Sequence, residues 1–207
     1  IMGGWPAASD VIAAAARRAH DRLGTSPREQ GFVAAMDHLV RGEFTKGASV
    51  LDAWARVEAD FAAVRIAHDI ALHIGDNPGR LRSSSQAMAK WEPDHVAASF
   101  VAGMHAFALG EVGDLDAAER VGRSALEADP LDLWARHALV HVFETRNDVS
   151  GSIAFLVDAA DMWSRQDALA THIWWHLALR HLATGDVGAV FDIYDTIIDD
   201  ATSVFRL

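Results

Sequence analysis

"FVAGMHAFALGEVGDLDAAERVGRSALEADPLD", residues 100–132, carries the fullest form of a pattern that recurs along the chain. Apolar residues recur at helical spacing as far as Leu109, the phrase "EVGD" interrupts them, and a second amphipathic run follows from Leu115. A glycine can close a helix in the left-handed conformation, and an aspartate directly after it can cap the next helix. Small Ala118 and Ala125 let paired helices approach, Pro130 ends the second helix, and Asp132 stands ready to cap a third. The stretch reads as a helix hairpin.

Related phrases recur on both sides: "RGEF" at 41–44, "IGDN" at 74–77, "RNDVSGS" at 146–152 and "TGDVGAV" at 184–190. With Gly42, Gly75, Gly113, Asn147 and Gly185 taken as equivalent, the steps are 33, 38, 34 and 38 residues. Ser26-Pro27-Arg28-Glu29 is a capping box with proline at the first helical position. The period and the placement of small residues and proline resemble the tetratricopeptide repeat. That resemblance implies an all-α, right-handed α-solenoid of antiparallel helix hairpins. The units run approximately over 27–60, 61–92, 95–130, 133–166 and 171–200, with a half unit at 9–23, in a single repeat domain over 1–207. Asn147 and Ser152 depart from the glycine and alanine of the pattern and loosen the fourth unit.

Composition agrees with helices packed on helices. Hydrophobic residues make up 51% of the 207, and the five prolines, at 6, 27, 78, 93 and 130, all fall near expected helix boundaries. A net charge of −11 with no basic run argues against nucleic acid as a partner. No apolar run is long enough for a membrane span. The absence of cysteine removes thiolate metal ligands and cysteine nucleophiles. A cytoplasmic protein is expected.

In a tetratricopeptide array the first helix of each pair lines a concave groove through positions 2, 5, 9 and 12. In the fourth unit these are Trp134, His137, His141 and Glu144, which fall within about 80° of one another around a helix. In the fifth unit His172 and His176 share a face one turn apart, with Trp175 beside them, while His181 points elsewhere. First helices of successive repeats lie about 10 Å apart, so the two His-x-x-x-His pairs can converge. Four imidazoles and a carboxylate suit a transition metal such as zinc, or proton transfer near neutral pH. Ala138 stands where the zinc-protease signature requires glutamate, which disfavours that mechanism. His20, His38, His73, His95, His105 and His181 read as surface or core rings.

The order of three further phrases is more specific. His68-Asp69, "HALVHVFE" at 137–144 and "HIWWHLAL" at 172–179 resemble the tetratricopeptide repeat protein 38 family. The resemblance implies that His68, Asp69, His137, His141, Glu144, His172, Trp175 and His176 form one recurrent set. It also implies that the chain is the central part of a longer protein. Asp69 falls at a groove position and His68 turns toward its helix pair. Between them and the histidine walls the third unit offers Phe100, Gly103 and Phe107, where glycine would leave room for a ligand above an apolar floor. The expected function is binding of a peptide, protein or small organic ligand in this His/Trp-lined groove. The alternative is an enzyme, metal-dependent or His acid–base and hydrolase-like, using His137, His141, Glu144, His172 and His176.

Overall fold

The computed structural model describes residues 26–92, 95, 97–162 and 168–198, together with helical residues 13–15 and 18. Most of the half unit expected at 9–23, the opening "IMGGWP" and His20 lie outside the described residues. Among the described residues the chain is all-α. The helices are α1 (Pro27–Val40), α2 (Phe44–Val57), α3 (Phe61–Ile74), α4 (Asn77–Met88), α5 (Ala98–Glu111), α6 (Leu115–Ala128), α7 (Leu133–Thr145), α8 (Val149–Val157), α9 (Ala168–Thr184) and α10 (Val187–Ile193). A 3₁₀ turn at Ala160–Met162 and a π-helical turn at Tyr194–Ile198 complete them. No described helix is long and apolar enough to cross a membrane.

The hairpin turns are built by the residues that mark the repeat. Gly42, Gly75, Gly113 and Gly185 have φ of 73°, 73°, 89° and 80°, and Asn147 takes φ 56° in the equivalent place. Asparagine tolerates this region better than other side-chain-bearing residues, so the fourth hairpin closes as the others do. Its second helix, α8, is the shorter partner at nine residues. After four of the five turns an aspartate caps the next helix. Asp76 accepts from Gly79 N at 2.9 Å, Asp114 from Ala117 N at 3.2 Å, Asp148 from Gly151 N at 2.9 Å and Asp186 from Ala189 N at 3.1 Å. The first turn differs because Glu43 occupies that place and makes no side-chain cap. Its longer side chain instead receives His38 Nδ1 at 2.7 Å and Lys46 Nζ at 2.6 Å. Replacing Asp114 with alanine should cost about 1 kcal/mol, read as a lower urea midpoint; an unchanged midpoint would show that the cap contributes nothing.

The chain divides into two compact units, residues 1–101 and 102–207. In the first, α1 packs on α2, α2 on α3 and α3 on α4. Its α1–α2 contact is close because Gly47 presents no side chain to Leu39: a Cβ there would lie 2.8 Å from Leu39 Cδ2. His68 and Arg80 are buried in this unit, at 1% and 0% exposure. In the second unit α6 packs on α7, and α9 packs on α7, α8 and α10. Val140, Leu156, Ile173 and Leu177 form its centre; full burial of such side chains contributes roughly 1.5–3 kcal/mol each. Ala118 and Ala125 are buried, as helix approach requires.

Candidate functional site

The site begins with the start of α7. Asp132, wholly buried, accepts from Trp134 N at 2.9 Å and Ala135 N at 3.1 Å, which fixes where the first turn of α7 begins. From there, i, i+4 and i+7 spacing places His137, His141 and Glu144 along one face. On α9, His172, His176 and Arg180 are spaced i, i+4 and i+8. The two helices are neighbours in the second unit, and these faces meet.

Within α7 the Nε2 atoms of His137 and His141 are 3.0 Å apart. Within α9 those of His172 and His176 are 3.1 Å apart. Across the seam, ring centroids are 4.9 Å apart for His137 and His172, 5.2 Å for His137 and His176, and 4.9 Å for His141 and His176. One ring nitrogen from each of the four lies within 4.8 Å of the others. His137 and His176 are buried, while His141 and His172 are partly exposed. Glu144 accepts from His176 Nδ1 at 3.0 Å and from Arg180 Nη2 at 3.1 Å. On the other side of the cluster Glu111, at the end of α5, stands 3.6 Å from His141 Nδ1.

Aromatic rings flank the imidazoles on two sides. The Phe107 ring packs 4.9 Å from His137 and 4.9 Å from His141, and Trp134 packs 6.0 Å from His137. Trp175 stacks on His172 with centroids 5.4 Å apart and planes 22° apart, and it is 46% exposed. This environment acts on the titrating groups. Burial, then the neighbouring charge of His176, lowers the His172 pKa to about 4, against the opposing pull of Glu144. Burial is the largest influence on Glu144 and pushes its pKa up, but the hydrogen bond from His176 and the charges of His176, Arg180 and His141 outweigh it, so the carboxylate stays ionised.

Comparison with known proteins bears on the fold. No family model matches the chain. Residues 41 to the end of MamA from Desulfovibrio magneticus RS-1 are similar over 82% of this chain and 92% of that one, at TM-score 0.55 and 17% identity. An RS-1 MamA double mutant has the same coverage and TM-score at 16% identity. MamA of AMB-1 covers 81% of this chain and 95% of its own, at TM-score 0.51 and 14% identity. MamA is a helical-repeat protein of the tetratricopeptide-like kind. The fold is tetratricopeptide-like. At these identities the likeness extends to the fold alone.

Several residues of the tetratricopeptide-like frame sit differently from expectation. Gly103 leaves no room for a ligand: a Cβ there would lie 2.5 Å from Ala135 N and 3.0 Å from Trp134 C and Asp132 Oδ2, so the backbone of α7 fills the space. Phe100 belongs to the first unit, where it packs edge-on to Phe61 with centroids 6.1 Å apart. His68 and Asp69 also belong to the first unit. His68 is sealed in its core, whereas the Asp69 carboxylate pairs with Arg65. The remaining rings have local contacts. His38 pairs with Glu43, His73 Nδ1 contacts Asp69 O at 2.7 Å, His95 packs on Trp91 at 4.3 Å, and His181 meets Asp186 at 3.4 Å. His105 is half-buried, and burial lowers its pKa.

Two residues of the site escaped the sequence reading. Arg180 was legible in principle, since it continues the His172–His176 face by one more turn. Glu111 carried no such signal, because a glutamate at a helix end reads as an ordinary solvated charge.

Proposed function

We propose that this chain is a ligand-binding member of the tetratricopeptide repeat protein 38 family, acting in the cytoplasm. Its recognition site is the His/Trp-lined face formed by α7 and α9. The supporting observation is the exposed Trp175 ring stacked on His172 at the rim of a four-imidazole cluster. A large exposed aromatic beside a few converging polar groups is the usual make-up of a recognition site. The net charge of −11 favours a peptide or small organic ligand that carries a cationic group, and the face of Trp175 can receive such a group.

Acid–base catalysis is the second reading, supported by the Glu144–His176–His172 line of contacts. We rank it second because of the depressed basicity of His172. An imidazole with a pKa of about 4 is a weak proton acceptor at neutral pH, where the most effective base titrates close to the working pH.

Panning a displayed peptide library against the intact protein tests the binding reading. Recovered peptides should lose at least about tenfold in affinity for Trp175→Ala, with little change in melting temperature because the ring is half in solvent. Equal affinity of both proteins for every recovered peptide would contradict it.

A further inference from the structure

The chemistry of the histidine cluster extends beyond ligand recognition. We propose that His137, His141, His172 and His176 together bind one divalent transition-metal ion through their Nε2 atoms. Glu144 and Glu111 act as positioning residues behind two of the four rings. This does not depend on the ligand reading, because it concerns only how the imidazoles are arranged.

The first support is the direction of the ring nitrogens. In each pair the Nε2 atoms face each other, 3.0 Å apart on α7 and 3.1 Å apart on α9. A tetrahedral ion with metal–nitrogen bonds of about 2.0–2.1 Å spaces its donors about 3.3 Å apart. Each pair is therefore within a few tenths of an ångström of one edge of that tetrahedron. Across the seam the ring centroids are 4.9–5.2 Å apart, and one ring nitrogen from each of the four residues already lies within 4.8 Å of the others, so an inward movement of the rings brings four donors onto one ion.

The second support lies behind the rings. Metal-bound imidazoles characteristically donate their outer N–H to a carboxylate, which fixes the tautomer and aims the lone pair at the metal. His176 Nδ1 donates to Glu144 Oε1 at 3.0 Å, and Arg180 holds that carboxylate in turn at 3.1 Å. Glu111 stands 3.6 Å from His141 Nδ1 on the opposite side. The carboxylates thus face the outer nitrogens and leave the Nε2 atoms to the interior. Phe107 and Trp134 shield the cluster on its apolar side, while partly exposed His141 and His172 give an ion a way in from solvent.

Donor type selects the ion. Four neutral imidazoles with no coordinating carboxylate suit zinc, copper, nickel or cobalt and not magnesium or calcium, which require oxygen ligands. The two nearby glutamates supply counter-charge without occupying a coordination position.

Cobalt(II) alone is the probe. The intact chain, prepared without a polyhistidine tag and stripped with chelator, should bind about one equivalent. Binding should develop the visible bands of a tetrahedral nitrogen site, and stoichiometric zinc should bleach them. His141→Asn and His172→Asn change the two partly exposed rings and leave the buried ones in place. Each should weaken binding by at least about 100-fold, and Glu144→Gln by about 10-fold or more with the bands retained. His181→Asn, outside the cluster, should leave affinity and spectrum unchanged. Binding of less than about a tenth of an equivalent, or bands that persist at equal affinity in both His141→Asn and His172→Asn, would overturn the proposal. The titration contains no peptide, so a negative result counts against the metal and leaves the Trp175 reading to its own test.

Discussion

Replacing Gly103 with alanine should lower the stability of the protein by about 2–3 kcal/mol, the upper part of the range for overpacking a tight core. The added methyl would sit 2.5 Å from Ala135 N and 3.0 Å from Trp134 C, both backbone atoms in the first turn of α7. A flexible side chain could swing away, but a helix backbone can respond only by moving the helix. Asp132 resists that movement, because its carboxylate caps α7 through Trp134 N and Ala135 N. For a chain of this size the cost corresponds to a melting temperature lower by roughly 5–10 °C. Gly113→Ala provides the contrast: nothing lies within 4 Å of its Cβ, and only its φ of 89° opposes the change, a penalty of roughly 1 kcal/mol. If Gly103→Ala melts no lower than Gly113→Ala, the close approach of α5 to α7 is wrong.

Acidification should produce the larger loss, through His68. Burial first, then the charges of Arg80 and Arg65, lower its pKa from 6.5 to about 3. The unfolded chain therefore takes up a proton below pH 6.5 that the folded core refuses. His68's contribution is fully present above pH 6.5, and it is lost as pH falls toward about 3. The loss runs at about 1.4 kcal/mol per pH unit and totals about 4–5 kcal/mol over the interval. Urea unfolding at pH 6.5 and 4.5 isolates the effect when wild type is compared with His68→Gln. The variant loses some packing at both pH values, but relative to wild type it should gain about 2–3 kcal/mol at the lower one. Parallel pH dependence of the two proteins would show that His68 titrates normally.

These two residues also show what the sequence could and could not convey. The hairpin turns were legible because the left-handed closing residue leaves few choices, and Asn147 is the one position where a side chain accepts it. The caps were legible for the same reason, except at Glu43, where one extra methylene redirects the carboxylate to His38 and Lys46. The face shared by His137, His141 and Glu144 followed from helical periodicity alone. Gly103 is ambiguous in the sequence because glycine serves equally well where a ligand approaches and where a backbone does; only the position of α7 distinguishes the two. His68 and Asp69 are adjacent in the chain, yet one enters the core and the other meets Arg65. Neighbours on a helix are 100° apart, so one residue's environment says little about the next.

The histidine pairs of α7 and α9 face one another across the seam between the two helices. Ring-to-ring nuclear Overhauser contacts measure this directly, with the imidazole signals assigned by single His→Gln variants. The geometry requires cross-peaks between the ring protons of His141 and His176 and between those of His137 and His172, whose centroids are 4.9 Å apart in both cases. Cross-peaks confined to His137–His141 and His172–His176, with none between the helices, would contradict it.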